Sequence, residues 1–98
     1  MTDQELITKI KKNPDFFIEI EKPSEEVQMA VVKKDGTYIQ YIKNLSEAVQ
    51  KAAVKNCTMA IKFIENPSKA VQIAAVNQDA EAIEYIKKPS DVVKLIIK

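Results

Sequence analysis

The sequence predicts an all-α fold: a short-helix α-solenoid of helix pairs, with a period of 22 residues and about four and a half copies. Three observations predict it. The chain repeats at a fixed spacing, holds a single glycine, and places its apolar residues at helical intervals within each copy. Ser24, Ser46, Ser68 and Ser90 mark the second position of successive copies; Val27, Val49, Val71 and Val93 mark the fifth. Self-similarity at a period of about 20–50 residues is the signature of stacked architectures. One glycine disfavours the tight hairpins that an all-β chain needs.

Three full copies follow one another without a gap: PSEEVQMAVVKKDGTYIQYIKN (23–44), LSEAVQKAAVKNCTMAIKFIEN (45–66) and PSKAVQIAAVNQDAEAIEYIKK (67–88). A half copy, PSDVVKLIIK, occupies 89–98, and residues 1–22 form a polar N-terminal cap repeat. All 98 residues are read as one domain. A chain that is 46% hydrophobic and 30% charged is folded rather than disordered.

Each copy reads as two short helices. In the first, taken as 67–76, Val71, Ala74 and Ala75 make an apolar stripe at i, i+3 and i+4. In the second, taken as 80–87, Ala82, Ile83, Tyr85 and Ile86 make a wider one. A polar link of two to four residues joins them near Asp35-Gly36, Cys57-Thr58 and Asp79-Ala80. Ten residues of helix span about 15 Å and are marginal alone, so each pair must lean on its neighbours.

Proline marks the start of a copy. It disfavours helical geometry in the residue before it and fits the first helical turn. Asn44 and Asn66 then serve as N-caps, with Glu47 at the capping-box position; the alternative places the serine at the N-cap. The spacing does not choose between the two.

The pattern NPS-x-x-VQ-x-AAV…AI-x-YI-K resembles an uncharacterised short α-helical repeat family of bacterial, phage, giant-virus and protist proteins, catalogued as a domain of unknown function. The resemblance covers residues 23–98. The chain is more loosely similar to the leucine-rich repeat variant, another all-helical solenoid. The resemblance implies a fold and supplies no catalytic residues; the architecture expected is a compact right-handed stack.

The two ends differ. In the first copy Glu5, Thr8, Lys9 and Glu19 occupy positions that are apolar elsewhere, as a terminal repeat facing solvent requires. The half copy instead carries Val92, Val93, Leu95, Ile96 and Ile97. These predict a partner contact, either a homodimer through 89–98 or a docked protein, against the alternative of an ordinary closing helix.

Composition excludes much chemistry. All fifteen basic residues are Lys, there is no Arg or His, and fourteen acidic residues leave a net charge of +1. That balance gives no global field for nucleic acid or membrane. Without Arg there is no planar fork for phosphate, and without His the commonest metal ligand is missing. No cofactor, metal or catalytic set is expected, and the chain is read as no enzyme. The lone Cys57 lacks a His to act as its base, so a bystander thiol is expected. Glu25, Glu26, Glu81 and Glu84 are read as solvated faces. Residues 1–17 show no signal-peptide pattern, and no apolar run is long enough for a membrane span, which points to the cytoplasm.

Four candidate surfaces remain. Gln28, Gln50 and Gln72, followed by Lys94, form a polar ladder whose amides are expected to bond a neighbouring copy's backbone. Tyr41, Phe63 and Tyr85 recur at position nineteen and are expected to pack in the core. Lys11, Lys12, Lys33, Lys34 and Lys55 line one edge as an anion stripe or as solvated surface at the negative helix ends. Positions three, seven, fifteen and eighteen are expected to be exposed, with Met29 and Ile73 as partner contacts at position seven. The function this supports is a protein–protein interaction module or scaffold. The alternative is a small phage-type inhibitor that binds a host defence protein or sequesters a nucleotide signal; weak non-specific nucleic-acid binding comes third.

Overall fold

The computed structural model describes residues 2–96, and every element in it is helical. Five α-helices, α1 (Asp3–Lys12), α2 (Glu25–Lys34), α3 (Glu47–Asn56), α4 (Lys69–Gln78) and α5 (Asp91–Ile96), alternate with four 3-10 helices. These are η1 (Pro14–Glu19), η2 (Gly36–Tyr41), η3 (Thr58–Phe63) and η4 (Ala80–Tyr85). Helix starts at 3, 25, 47, 69 and 91, and 3-10 starts at 14, 36, 58 and 80, all step by 22 residues. The N-terminal copy, despite its polar side chains, therefore has the same two elements in the same register as the others.

The molecule is elongated, 48 × 21 × 15 Å. Each α-helix packs on the next, α1 on α2 through to α4 on α5, while η2 packs on η3 and η3 on η4. Position five is buried in three full copies and in α5, through Val27, Val49, Val71 and Val93. Fully burying one valine contributes about 1.5–3 kcal/mol. Ile10, Val32, Val54 and Val76 close the α side of the core; Phe17, Ile39 and Ile61 close the 3-10 side.

The second element of each copy is not an α-helix, and the sequence carries the reason. In a 3-10 helix residues i and i+3 eclipse one another. Phe17, Ile39, Ile61 and Ile83 pack inward from the 3-10 helices. Three residues on, Ile20, Ile42, Ile64 and Ile86 are the extended residues that end those helices; they bond back to them and pack on the same core. The spacing of three, read above as part of a wider α-helical stripe, runs from this tighter helix to the residue that caps it.

The link between the two elements is shorter than expected. A single extended residue, Asn13, Asp35, Cys57 or Asp79, ends the α-helix and begins the 3-10 helix. Its N–H donates back to the helix, as in Asp35 N–H to Val31 O at 2.8 Å. Its side chain then accepts from the residue two further on: Asp15 N–H to Asn13 Oδ1, Thr37 N–H to Asp35 Oδ1 and Glu81 N–H to Asp79 Oδ1. One short polar residue thus satisfies backbone groups on both sides of a sharp corner.

Helix starts are capped by the serines. Ser24, Ser46 and Ser68 accept from Val27, Val49 and Val71 N–H at 3.2–3.3 Å. Asn44 and Asn66 are exposed and lie outside the helices, and Glu47 is the first residue of α3 rather than its capping-box partner. Proline stands before the cap, not in the first turn. Among the described residues the one complete capping box is in α1, where Thr2 and Glu5 bond reciprocally, and those bonds hold the Glu5 carboxyl below its usual range.

Glu5, Thr8, Lys9 and Glu19 are all exposed, which fits a solvent-facing end. Position eight is only half-buried in Ala30, Ala52 and Ala74, so small size there serves close approach rather than full burial.

Ser68→Ala should lower the free energy of unfolding by about 0.5–2 kcal/mol, whereas Asn66→Ala should shift it by less than about 0.5 kcal/mol. Urea denaturation followed by far-UV circular dichroism measures both, and equal losses would contradict the serine cap.

Candidate functional site

Two polar ladders run along the molecule, and only one lies where the sequence placed it. Gln28, Gln50 and Gln72 donate from Nε2 to the carbonyls of Pro23, Leu45 and Pro67 at 3.0–3.2 Å. Those carbonyls belong to the same copy, not to a neighbour. The amide is a reach-back bond that pins each copy's entry segment to its own helix. Gln72 also spans copies, because its Oε1 accepts from Ser90 N–H at 2.8 Å. Gln50 Oε1 is buried without a partner. The ladder is scaffold.

The second ladder, at position twelve, is the true bridge between copies. Asn56 donates from Nδ2 to Lys33 O and accepts from Gly36 N–H, both at 2.8 Å. Gln78 donates to Val54 O at 3.0 Å and to the Thr58 hydroxyl. Lys34 Nζ donates to Lys11 O. Each side chain therefore satisfies a carbonyl in the last turn of the preceding α-helix, where four carbonyls lack helical partners. The sequence hid this role because Lys34, Asn56 and Gln78 share no letter.

Residue size is matched across that bridge. A Cβ on Gly36 would stand 2.3 Å from Ala53 O, so the α2–α3 joint closes only around a glycine. There the short amide of Asn56 suffices. One copy later Thr58 replaces the glycine and the longer Gln78 reaches across.

The lysine edge changes meaning accordingly. Lys11, Lys12, Lys33, Lys34 and Lys55 are all exposed at helix C-termini, but Lys34 is engaged with a backbone carbonyl. Cations there complement the negative helix ends, which is a structural reason for the stripe. Glu25, Glu26, Glu81 and Glu84 are exposed. Among the described residues no group of three or more His, Cys, Asp or Glu is placed to hold a metal ion. No helix among them is long and apolar enough to cross a membrane.

The aromatic row is a correction in the other direction. Tyr41 is 50% exposed and Tyr85 39%, so the two tyrosines are not core, whereas Phe63 is half-buried and packs against the core as expected. The cause is again the 3-10 helix: position seventeen takes the inward ridge and position nineteen falls on the flank. Tyr38, three residues before Tyr41, meets it edge to face at 5.6 Å. The Tyr38 hydroxyl donates to the Asp15 carboxylate, which pushes its pKa up to about 12. Lys62 Nζ lies 5.2 Å from the Phe63 ring centre.

Met29 and Ile73, expected to be exposed, are half-buried and pack against the core. Val93 is fully buried and belongs to that core, so it is not a free contact residue. Val92 and Leu95 are 39% and 65% exposed on α5. The side chain of Ile96 and the whole of Ile97 lie outside the described residues.

A cleft of about 400 Å³ opens between the 20–23 and 42–44 segments, beside Tyr41 and Gln28. Lys22 and Lys43 stand on its two sides. No sequence signal pointed to it, since its lining comes from two segments about 20 residues apart that share no motif.

Cys57 is half-buried at the corner of the third copy and makes no capping bond there. Cys57→Asp should supply the missing acceptor for the N–H two residues on and raise stability by about 0.5–1.5 kcal/mol. Thermal unfolding checks it, and an unchanged midpoint would show that the corner closes without the bond.

No protein-family model matches the chain, and no curated protein or solved structure was found similar to it.

Proposed function

We propose that the chain is a non-enzymatic protein-interaction module on a short-helix α-solenoid, of the short helical repeats that residues 23–98 resemble. One observation carries the reading. Among the described residues, the exposed large apolar side chains are Ile18, Tyr41, Met59 and Tyr85 on the 3-10 helices, with Val92 and Leu95 on α5. None lies on α1 to α4. Exposed apolar residues scattered singly need no explanation, but here each of the four 3-10 helices carries one and none of α1 to α4 does, a one-sided distribution that favours a contact surface in the 3-10 layer. Tyrosine and methionine are favoured at such surfaces, because they bury large area with few or soft torsions.

The α-helices support the scaffold half of the proposal. Their outer positions are charged or polar, as in Glu25, Glu26, Lys33, Glu47, Lys51 and Lys55, all exposed. On the 3-10 layer residue type varies most at positions fifteen and eighteen, although at position fifteen Asp15 and Thr37 make side-chain bonds to Tyr38 and Asp35. Asp15, Thr37, Met59 and Glu81 share one position; Ile18, Gln40, Lys62 and Glu84 share another. Variable, exposed positions on a constant frame are what a repeat protein offers a partner.

The double variant Met59→Lys, Tyr85→Lys should keep the helical spectrum and lose partners. Parallel affinity captures, quantified by mass spectrometry, should show proteins retained by the wild type falling at least about fivefold, the worth of roughly 1 kcal/mol. An unchanged retained set would remove the surface.

A further inference from the structure

We propose that the cleft beside Tyr41 binds a small anion carrying a flat ring, of the chemical class of a nucleoside monophosphate. The site goes beyond the protein-contact reading; it shares the exposed Tyr41 with that reading but stands on the cleft and its two lysines. Its volume, about 400 Å³, is in the range of small-molecule sites, about 300–1,000 Å³.

The ring is held before any ligand arrives. Half of the Tyr41 surface is open, while its inner side meets Tyr38 at 5.6 Å and an interplanar angle of 62°. Tyr38 is in turn fixed by its hydroxyl on Asp15. A ring braced through two further residues loses little freedom on binding, so more of the stacking energy appears as affinity. Stacking of a base on an aromatic side chain contributes about 1–3 kcal/mol.

Charge supplies the second half. Lys22 and Lys43 come from different joints and flank the same space, and neither forms an ion pair among the described residues. Glu21 also lines the cleft and offsets one ammonium, leaving one positive charge in excess. Lysines bind phosphate as point charges rather than through a fork, which sets a modest affinity with a steep salt dependence.

The fourth copy serves as an internal control. Its equivalent residues include Tyr85 and Gln72, but Gln72 is only 6% exposed and its Oε1 is bonded to Ser90 N–H. Gln28 is half-buried and lines the cleft; its Nε2 is committed to Pro23 O, so it shapes the wall rather than supplying a free amide donor.

Titration with adenosine monophosphate, inorganic phosphate and adenosine, followed by calorimetry and saturation-transfer NMR, tests the site. The monophosphate should bind saturably and at least about fivefold more tightly than either part alone. Tyr41→Leu and the pair Lys22→Gln, Lys43→Gln should each weaken it about fivefold or more. Tyr85→Leu should leave it unchanged, and circular dichroism should show all variants folded. The proposal is overturned if the monophosphate does not saturate at millimolar concentration, if phosphate or adenosine binds as well, or if both the Tyr41 and the lysine variants bind normally.

Discussion

Each copy of this chain has an apolar side that it cannot cover by itself. Ten residues of α-helix and six of 3-10 helix, joined by one corner residue, leave Val27, Val49, Val71 and Val93 to be buried by whatever lies alongside. The adjacent copies do this, α-helix against α-helix and 3-10 helix against 3-10 helix. Sideways burial has a polar consequence. The last carbonyls of each α-helix face the joint, and Lys34, Asn56 and Gln78 reach across to them. Apolar packing and carbonyl satisfaction thus act at the same seams, and the corner residues keep both elements short enough to meet there.

The large features of this arrangement were legible in the sequence because they recur. The period, the helical class and the polar first copy all follow from columns of like residues, and the structure repeats its elements at the same step. What was missed lies where the physics is shared but the letters differ. Position twelve does one job with lysine, asparagine and glutamine, three residues that no pattern joins. Position nineteen looked like core because it holds aromatics, yet a change from 3.6 to 3.0 residues per turn puts it on the flank, where Phe63 keeps a core contact and the two tyrosines stand exposed. The serine cap and the asparagine cap lay two residues apart, and only the backbone geometry separates them. The cleft had no signature at all, since it arises from the opening between two joints rather than from a motif.

The proposed contacts divide along the same line. Residues that hold the seams are engaged and unavailable: the glutamines bond their own copies, Val93 is core, and Met29 and Ile73 lean on it. Residues that the seams do not need are on the 3-10 layer and at the joints, and there the chain exposes rings, a methionine and lysines that form no ion pair among the described residues. Binding is proposed where the frame makes no demand.

If stability is the sum of like seams, one whole copy is dispensable. Deleting residues 45–66 joins the second copy to the fourth, with Gln78 meeting the joint that Asn56 served. Far-UV circular dichroism during thermal unfolding should then show a helical protein with a cooperative transition at a lower midpoint. A deletion protein that is unfolded or melts without cooperativity at 25 °C would contradict the account, because it would mean that the core is one indivisible body rather than a row of neighbours.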